Sequence, residues 1–106
     1  MAKAAGSAER GWDAEIHRLR GELTGRLPYP DPAKAEKSFR TALAIAREQG
    51  TRGYELRAAT SLARLWREQG RRGEARDLLA PLYGSFTEGF DTADLKEAKA
   101  LLDELT

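Results

Sequence analysis

The stretch "LARLWREQGRRGEARDLLAPLY", residues 62–83, has the pattern of two helices joined by a tight turn. In its first half the apolar residues stand three or four positions apart, which is the spacing of one helix face. Gly70 then interrupts the pattern, and glycine is favoured where a helix ends in a left-handed residue. The second half resumes the helical spacing with Ala75, Leu79 and Leu82. The stretch therefore predicts a helical hairpin.

Helical spacing also extends over the remainder of the chain, on both sides of this hairpin. No stretch shows the alternation of apolar and polar residues that a half-buried strand requires. We predict an all-α fold with a flexible N-terminal segment over residues 1–11 and one helical domain over residues 12–106. The five helices are predicted at residues 12–27, 32–49, 54–69, from 72 onward, and 93–105.

Two pairs of predicted helices repeat one pattern of small and large side chains. Ala35 and Phe39 in the second helix correspond to Ala75 and Leu79 in the fourth. A small residue lets two helices approach closely, and a large neighbour fills the groove beside it. The preceding helices supply further small residues with bulky partners, which we expect to pack inside the hairpins: Leu19, Gly21 and Leu23, then Leu62, Ala63 and Trp66.

This pattern resembles the tetratricopeptide repeat, a helical hairpin that stacks into arrays and binds other proteins. The resemblance implies two hairpins followed by a C-terminal capping helix. The period here is near 40 residues, which is longer than the ~34 residues of a typical repeat. The alternative is a four- or five-helix bundle in which the spacing is coincidental.

A longer resemblance covers most of the chain, and its most distinctive segments are "ELRAATSLARLW" (55–66) and "TEGFDTADLKEAKALLDEL" (87–105). They are similar to the C-terminal tail of a family of large bacterial signalling proteins. Those proteins carry a class III adenylate/guanylate cyclase domain or a transcriptional-activator domain, then an AAA-like ATPase region, then tetratricopeptide-like repeats. The resemblance implies a regulatory or scaffolding tail in signal transduction, not the chemistry of the parent.

Composition limits the possible classes of function. Apolar residues make up 41% of the 106 positions and charged residues 33%, the net charge is +1, and cysteine is absent. No apolar run approaches the ~20 residues of a membrane span, and the absence of cysteine fits a reducing compartment. We expect a cytoplasmic protein without membrane contact. Near-neutral charge disfavours a nucleic-acid partner, although a basic nucleic-acid-binding module and a fragment of a nucleotide-processing enzyme stay open as alternatives.

Residues that carry catalysis are not clustered in the sequence. His17 is the only histidine, and two neighbouring arginines crowd it with positive charge. Ser61 has no base at a plausible spacing, and no GxxxxGK[ST] loop is present to hold nucleotide phosphates. We therefore predict no catalytic, cofactor-binding or metal-binding residue, and we expect no cofactor.

Charged residues on the first helix of each hairpin are the first candidate contact surface. In tetratricopeptide arrays these helices line a concave groove, and arginines in such a groove suit an acidic peptide because they bind carboxylates in a bidentate manner. In the alternative interpretation, the arginines pair with neighbouring glutamates or with the acidic C-terminal segment. The candidate groove residues are Arg18, Glu22, Arg57, Thr60, Arg64 and Arg67.

The N-terminal edge is the second candidate contact surface. The last helix carries a charged outer face that suits the end of an array, whereas the first helix has no such cap. Trp12 and Ile16 are therefore predicted to lie at an open edge. The expected partners are a preceding part of a longer chain, a separate protein, or a second copy in a homodimer.

Overall fold

Five α-helices make up the part of the chain that the structure, a computed structural model, describes: residues 10–87 and 92–105, with side chains from Asp13 onward. No strand occurs in these residues, so the all-α prediction is confirmed. The predicted boundaries are correct to within two residues, and the first helix begins at Arg10. The helices are α1 (Arg10–Arg26), α2 (Pro32–Gln49), α3 (Arg52–Glu68), α4 (Arg72–Gly84) and α5 (Ala93–Leu105).

Local sequence signals set the helix ends. The Asp31 carboxylate accepts a hydrogen bond from the backbone N–H three residues further on, at 3.1 Å, which caps the start of α2. Gly50 and Gly70 have φ values of +70° and +79°, so the turns after α2 and α3 need the left-handed conformation that glycine adopts freely. At the start of α5, the Thr92 hydroxyl accepts from a backbone N–H at 3.4 Å. The sequence offers Asp91 as a second residue able to cap α5, and Asp91 lies outside the described residues.

The helices form two layers. Each helix packs against the next one in the chain, and α3 also contacts both α1 and α5. Helices α1, α3 and α5 therefore lie side by side in one layer, with α2 and α4 behind them. Because α3 touches all four other helices, it is the centre of the domain.

The core is built mainly from alanines and leucines. The predicted apolar faces of α2 and α3 are confirmed, and Ala75 and Leu79 of α4 are buried as expected. The spacing of the α5 sequence predicts Leu102 inside; in the structure Leu101 is buried and Leu102 only partly so. The helical spacing of α2 and α3 predicts ten residues inside, and all are buried: Ala35, Phe39, Ala42, Leu43, Ala46, Leu56, Ala59, Leu62, Ala63 and Trp66.

The prediction for α1 is wrong in one respect, because Leu19 and Leu23 do not pack inside the first hairpin. Their side chains are 43% and 65% exposed. The opposite face of α1 is the buried one, and it carries Ala14 and Gly21. A Cβ atom at Gly21 would lie 2.7 Å from Cε1 of Phe39, so α1 approaches α2 too closely to place a leucine between them.

The close approach at Gly21 gives a test with a matched control. A Cβ at this position would also meet the Cδ1 atom of Phe39 at 2.8 Å and the Ala35 carbonyl oxygen at 3.1 Å. Gly25, one turn later on the same helix, has nothing within 4 Å of such an atom. We expect Gly21→Ala to lower the free energy of unfolding by about 1–3 kcal/mol through overpacking. Gly25→Ala should raise it by about 0.5–1 kcal/mol through helix propensity.

Urea unfolding followed by circular dichroism measures both changes. Equal stabilisation by the two substitutions would contradict the close contact between α1 and α2.

Candidate functional site

The predicted groove residues come together on the layer formed by α1, α3 and α5. Arg18 and Glu22 project from α1 toward α3, where Ser61 lies within hydrogen-bonding distance of both. Arg57, Arg64 and Arg67 of α3 reach acidic side chains on the neighbouring helices. The helical register explains the alignment, since residues three, four and seven apart lie on one face.

Glu15 is the most buried charged group of this layer, with 8% of its surface exposed. Arg18 donates to it through two nitrogens, Nε to Oε1 at 2.9 Å and Nη2 to Oε2 at 2.7 Å. Arg57 of α3 adds a third hydrogen bond, from Nη1 to Oε2 at 3.2 Å. The hydrogen bonds from Arg18 lower the pKa of Glu15; burial acts in the opposite direction, and the charges of Arg18 and Arg57 help to outweigh it.

Glu22 forms a second bridge between α1 and α3. The Ser61 hydroxyl donates to Oε2 of Glu22 at 2.8 Å, and Arg18 Nη1 lies 3.4 Å from the same oxygen. Arg64 Nη1 is 3.8 Å from it as well. Ser61 is 4% exposed, so this hydroxyl sits at a helix contact, as its small size suggested. The hydroxyl thus ties the two helices together.

The acidic residues of α5 occupy the other side of the α3 arginines. Asp94 Oδ2 accepts from Arg57 Nε at 2.9 Å. Glu97 pairs with Arg64 in the same way, and Glu104 pairs with Arg67. Glu97 and Glu104 belong to the charged outer face predicted for this helix. Both pair with arginines of α3 while their side chains stay more than half exposed. The arginines of α3 are therefore contacted by carboxylates from both neighbours.

Every arginine predicted to line the groove already contacts at least one carboxylate. This is the pairing that the second interpretation of the arginines expected. Thr60 is 5% exposed, and its hydroxyl donates to the Leu56 carbonyl at 2.8 Å. The cleft that contains Thr60 has a volume of about 150 Å³. The two clefts beside Glu22 and Arg64 are larger, about 410 and 420 Å³. Binding of an acidic peptide stays a prediction.

The outer face of α1 is a different kind of surface. We call it the α1 outer stripe and define it by Ile16, Leu19 and Leu23 of α1 and by Leu27 just beyond its end, which are 47%, 43%, 65% and 53% exposed. The stripe points away from α2, which Gly21 contacts from the opposite side of α1. On its other side Leu19 and Leu23 border a cleft of about 420 Å³ that Arg64 of α3 and Glu97 of α5 also line. The structure thus places Ile16 at an exposed position of the predicted open edge. The side chain of Trp12 lies outside the described part of the chain.

Sequence reasoning had assigned only Trp12 and Ile16 to this edge and had missed the three leucines. The signal that could have found them is the position of Ala14 and Gly21. These small residues are seven apart, so they share a face, and that face lies opposite Leu23 on a helical wheel. Small residues indicate close contact between helices. The face of α1 that carries Ala14 and Gly21 is therefore the one to expect against the rest of the domain.

A membrane span and a metal site are two further features that the described residues could form. None of their helices is long and apolar enough to cross a membrane. Among the same residues, no group of three or more His, Asp or Glu side chains is arranged to hold a metal ion. The two surfaces described above are the candidates that the geometry offers.

Comparison with known proteins gives no matching family model, no similar curated protein and no similar solved structure. The resemblance to cyclase-associated tails therefore stays a prediction. The contacts and exposures of the chain itself are the basis for a functional assignment.

The ion pairs of Glu15 make stability depend on pH in a defined direction. A carboxyl whose pKa is lowered by folding stabilises the folded state above its unfolded pKa of about 4.3 and loses this contribution as the pH falls through the folded value. We expect Glu15→Gln to cost about 1 kcal/mol at pH 7, a modest amount because the arginines keep other partners. The difference between the two proteins should shrink as the pH falls below about 4.

Urea unfolding of both proteins at several pH values measures this difference. The Gln variant is the control for every other acidic group in the chain, because those groups are present in both proteins. A difference that is unchanged between pH 7 and pH 3 would contradict the role of the Glu15 charge.

Proposed function

We propose that this chain is a non-catalytic, tetratricopeptide-like helical-repeat module that makes protein–protein contacts through the α1 outer stripe. The observation that carries the proposal is the exposure of three large aliphatic side chains on one face of α1 and of Leu27 just beyond its end, between 43% and 65% each. Contiguous apolar patches of this kind mark interaction sites in soluble proteins. The partner is another polypeptide, either a separate protein or a preceding segment of a longer chain.

The repeat assignment is supported by the packing of both hairpins. Gly21 lies against Phe39 in the first hairpin, and Ala63, Ala75 and Leu79 are all fully buried in the second. The first helices of successive units also contact each other, α1 with α3 and α3 with α5. Repeat proteins stack in this nearest-neighbour manner, and an internal unit is covered on both sides.

The resemblance to tails of cyclase-linked and activator-linked ATPases, a prediction from the sequence, suggests an intramolecular form of the same function. In such a protein a further helical unit would precede α1 and cover the outer stripe. The module would then connect the repeats with the rest of the chain through contacts at the stripe. The intermolecular and the intramolecular contact both require a partner with an apolar surface that can cover the stripe.

The edge is a better contact surface than the groove because of what each surface already binds. An acidic peptide in the groove would have to displace carboxylates of α1 and α5 from Arg57 and Arg64. Exchange of one carboxylate for another gives little net free energy. The aliphatic side chains of the stripe are about half exposed to water instead, and burying the exposed part of one contributes about 1 kcal/mol.

Photo-cross-linking in the cells that produce the protein tests this proposal. The benzophenone amino acid p-benzoylphenylalanine replaces Leu23 in the stripe. In a matched control it replaces Ala44, which is exposed on α2. We expect one discrete cross-linked polypeptide from position 23, identifiable by mass spectrometry, because the stripe is covered by a specific partner. The control position should give none.

Absence of any adduct at position 23 would contradict the proposal. The same holds if positions 23 and 44 capture the same mixture of proteins, since that would indicate non-specific contact.

A further inference from the structure

The contact surface proposed above leads to a specific occupant, and this inference rests on that proposed function. We propose that the α1 outer stripe packs against the same stripe of a second copy of this chain, with the two α1 helices antiparallel. Three properties of the described residues support it: the spacing of the apolar side chains, the charges beside them, and the position of those charges on one flank.

The spacing of the stripe allows it to pair with itself. Ile16, Leu19 and Leu23 are three and four positions apart, the alternation with which helices interlock side chains along a shared seam. In an antiparallel pair, a twofold axis between positions 16 and 19 sets Ile16 of each copy beside Leu19 of the other. The same apolar surface then serves both partners, as a closed dimer requires.

On one flank of the stripe the charges are complementary under the same symmetry. On the other flank, Glu15 and Glu22 are already paired with arginines of their own domain. Asp13 and Arg20 are seven positions apart and therefore lie on the same flank of α1. Both side chains are exposed. In an antiparallel pair related by a twofold axis, each flank of one helix lies beside the same flank of the other helix. Asp13 of each copy therefore faces Arg20 of the other. The symmetry produces this attraction twice.

These two charges differ from the three charged residues of α1 that face α3. Glu15, Arg18 and Glu22 are all engaged in ion pairs within the domain. Among the side chains that the structure describes, residues 13–87 and 92–105, no ion pair involves Asp13 or Arg20. Asp13 and Arg20 can each form an ion pair with the opposite charge on a second copy, and no contact inside the domain has to break.

The expected strength follows from the size of the surface. One helix pair buries less than the ~800 Å² per partner of a standard interface, so the dissociation constant should be micromolar or weaker. The ion pairs are at the rim of the contact, and salt should therefore weaken the dimer.

Sedimentation equilibrium of the purified full chain over a range of micromolar concentrations tests the dimer. We expect a monomer–dimer equilibrium that Leu23→Glu weakens by at least about tenfold, because the substitution places a charge in the apolar seam. Ala44→Glu adds the same charge on α2 and should leave the equilibrium unchanged. Circular dichroism checks that the variants remain folded, which the exposure of both positions predicts.

A charge swap tests the antiparallel arrangement. Asp13→Arg and Arg20→Asp should each weaken the dimer, because each single variant places like charges opposite one another. The double variant Asp13→Arg/Arg20→Asp should restore it, and so should an equimolar mixture of the two single variants. Asp77→Arg on α4 and Lys96→Asp on α5 are matched controls at exposed positions, and they should have no effect.

The outcomes separate this proposal from the function it rests on. A chain that stays monomeric at every concentration overturns the dimer, and so does a dimer that survives Leu23→Glu. Failure of the double variant and of the mixture to restore association overturns the antiparallel pairing. If the purified chain is monomeric while position 23 cross-links a different polypeptide in cells, the interaction function stands and the second copy is ruled out.

Discussion

The close approach of Gly21 to the Phe39 ring determines which face of α1 points into the domain, and the remaining features of the surface depend on that orientation. A Cβ at Gly21 would lie 2.7 Å from the ring, so only the smallest side chain fits at this point of contact. A rotation of α1 that buried Leu19 and Leu23 would push two leucines against α2. It would also withdraw Glu15 and Glu22 from the hydrogen bonds that they make with Arg18, Arg57 and Ser61.

The orientation of α1 also explains the electrostatics of the groove layer. With its carboxylates directed toward α3, α1 supplies negative charge on one side of the α3 arginines, and α5 supplies it on the other through Asp94 and Glu97. Exposed pairs of this kind contribute little each. Their effect is on what the groove can bind. The arginines that made the groove look basic in the sequence are neutralised by carboxylates of the same domain. A contact function is therefore better served by the apolar edge.

Much of the fold could be predicted from the sequence because the helices of the core have one apolar face each. In α2 and α3 that face must be inside, and residues such as Phe39 and Leu62 are buried as the pattern requires. In α1 the pattern identified an apolar face correctly, but periodicity does not say what covers a face. The deciding information was a contact between Gly21 and a side chain eighteen positions away, which local spacing cannot reveal.

The candidate site shows the same limit. The sequence placed Arg57 and Arg64 on one helix face, which is a local property. The Glu22–Ser61 and Arg57–Asp94 contacts join residues 39 and 37 positions apart, and they depend on how three helices lie side by side. Sequence spacing could therefore name the arginines but could not choose between a peptide ligand and partners within the chain.

Chemical accessibility of the two faces of α1 tests the central claim most directly. The chain contains no cysteine, so single cysteines at Leu23 and at Ala14, which is 1% exposed, report on the outer and inner faces without interference. The reaction with a thiol reagent is measured on dilute protein, where self-association is absent. We expect the cysteine at position 23 to react almost as fast as a free thiol, and the one at position 14 at least about tenfold more slowly because its reaction requires local opening. The reverse order would show that α1 buries its leucines and would contradict the account.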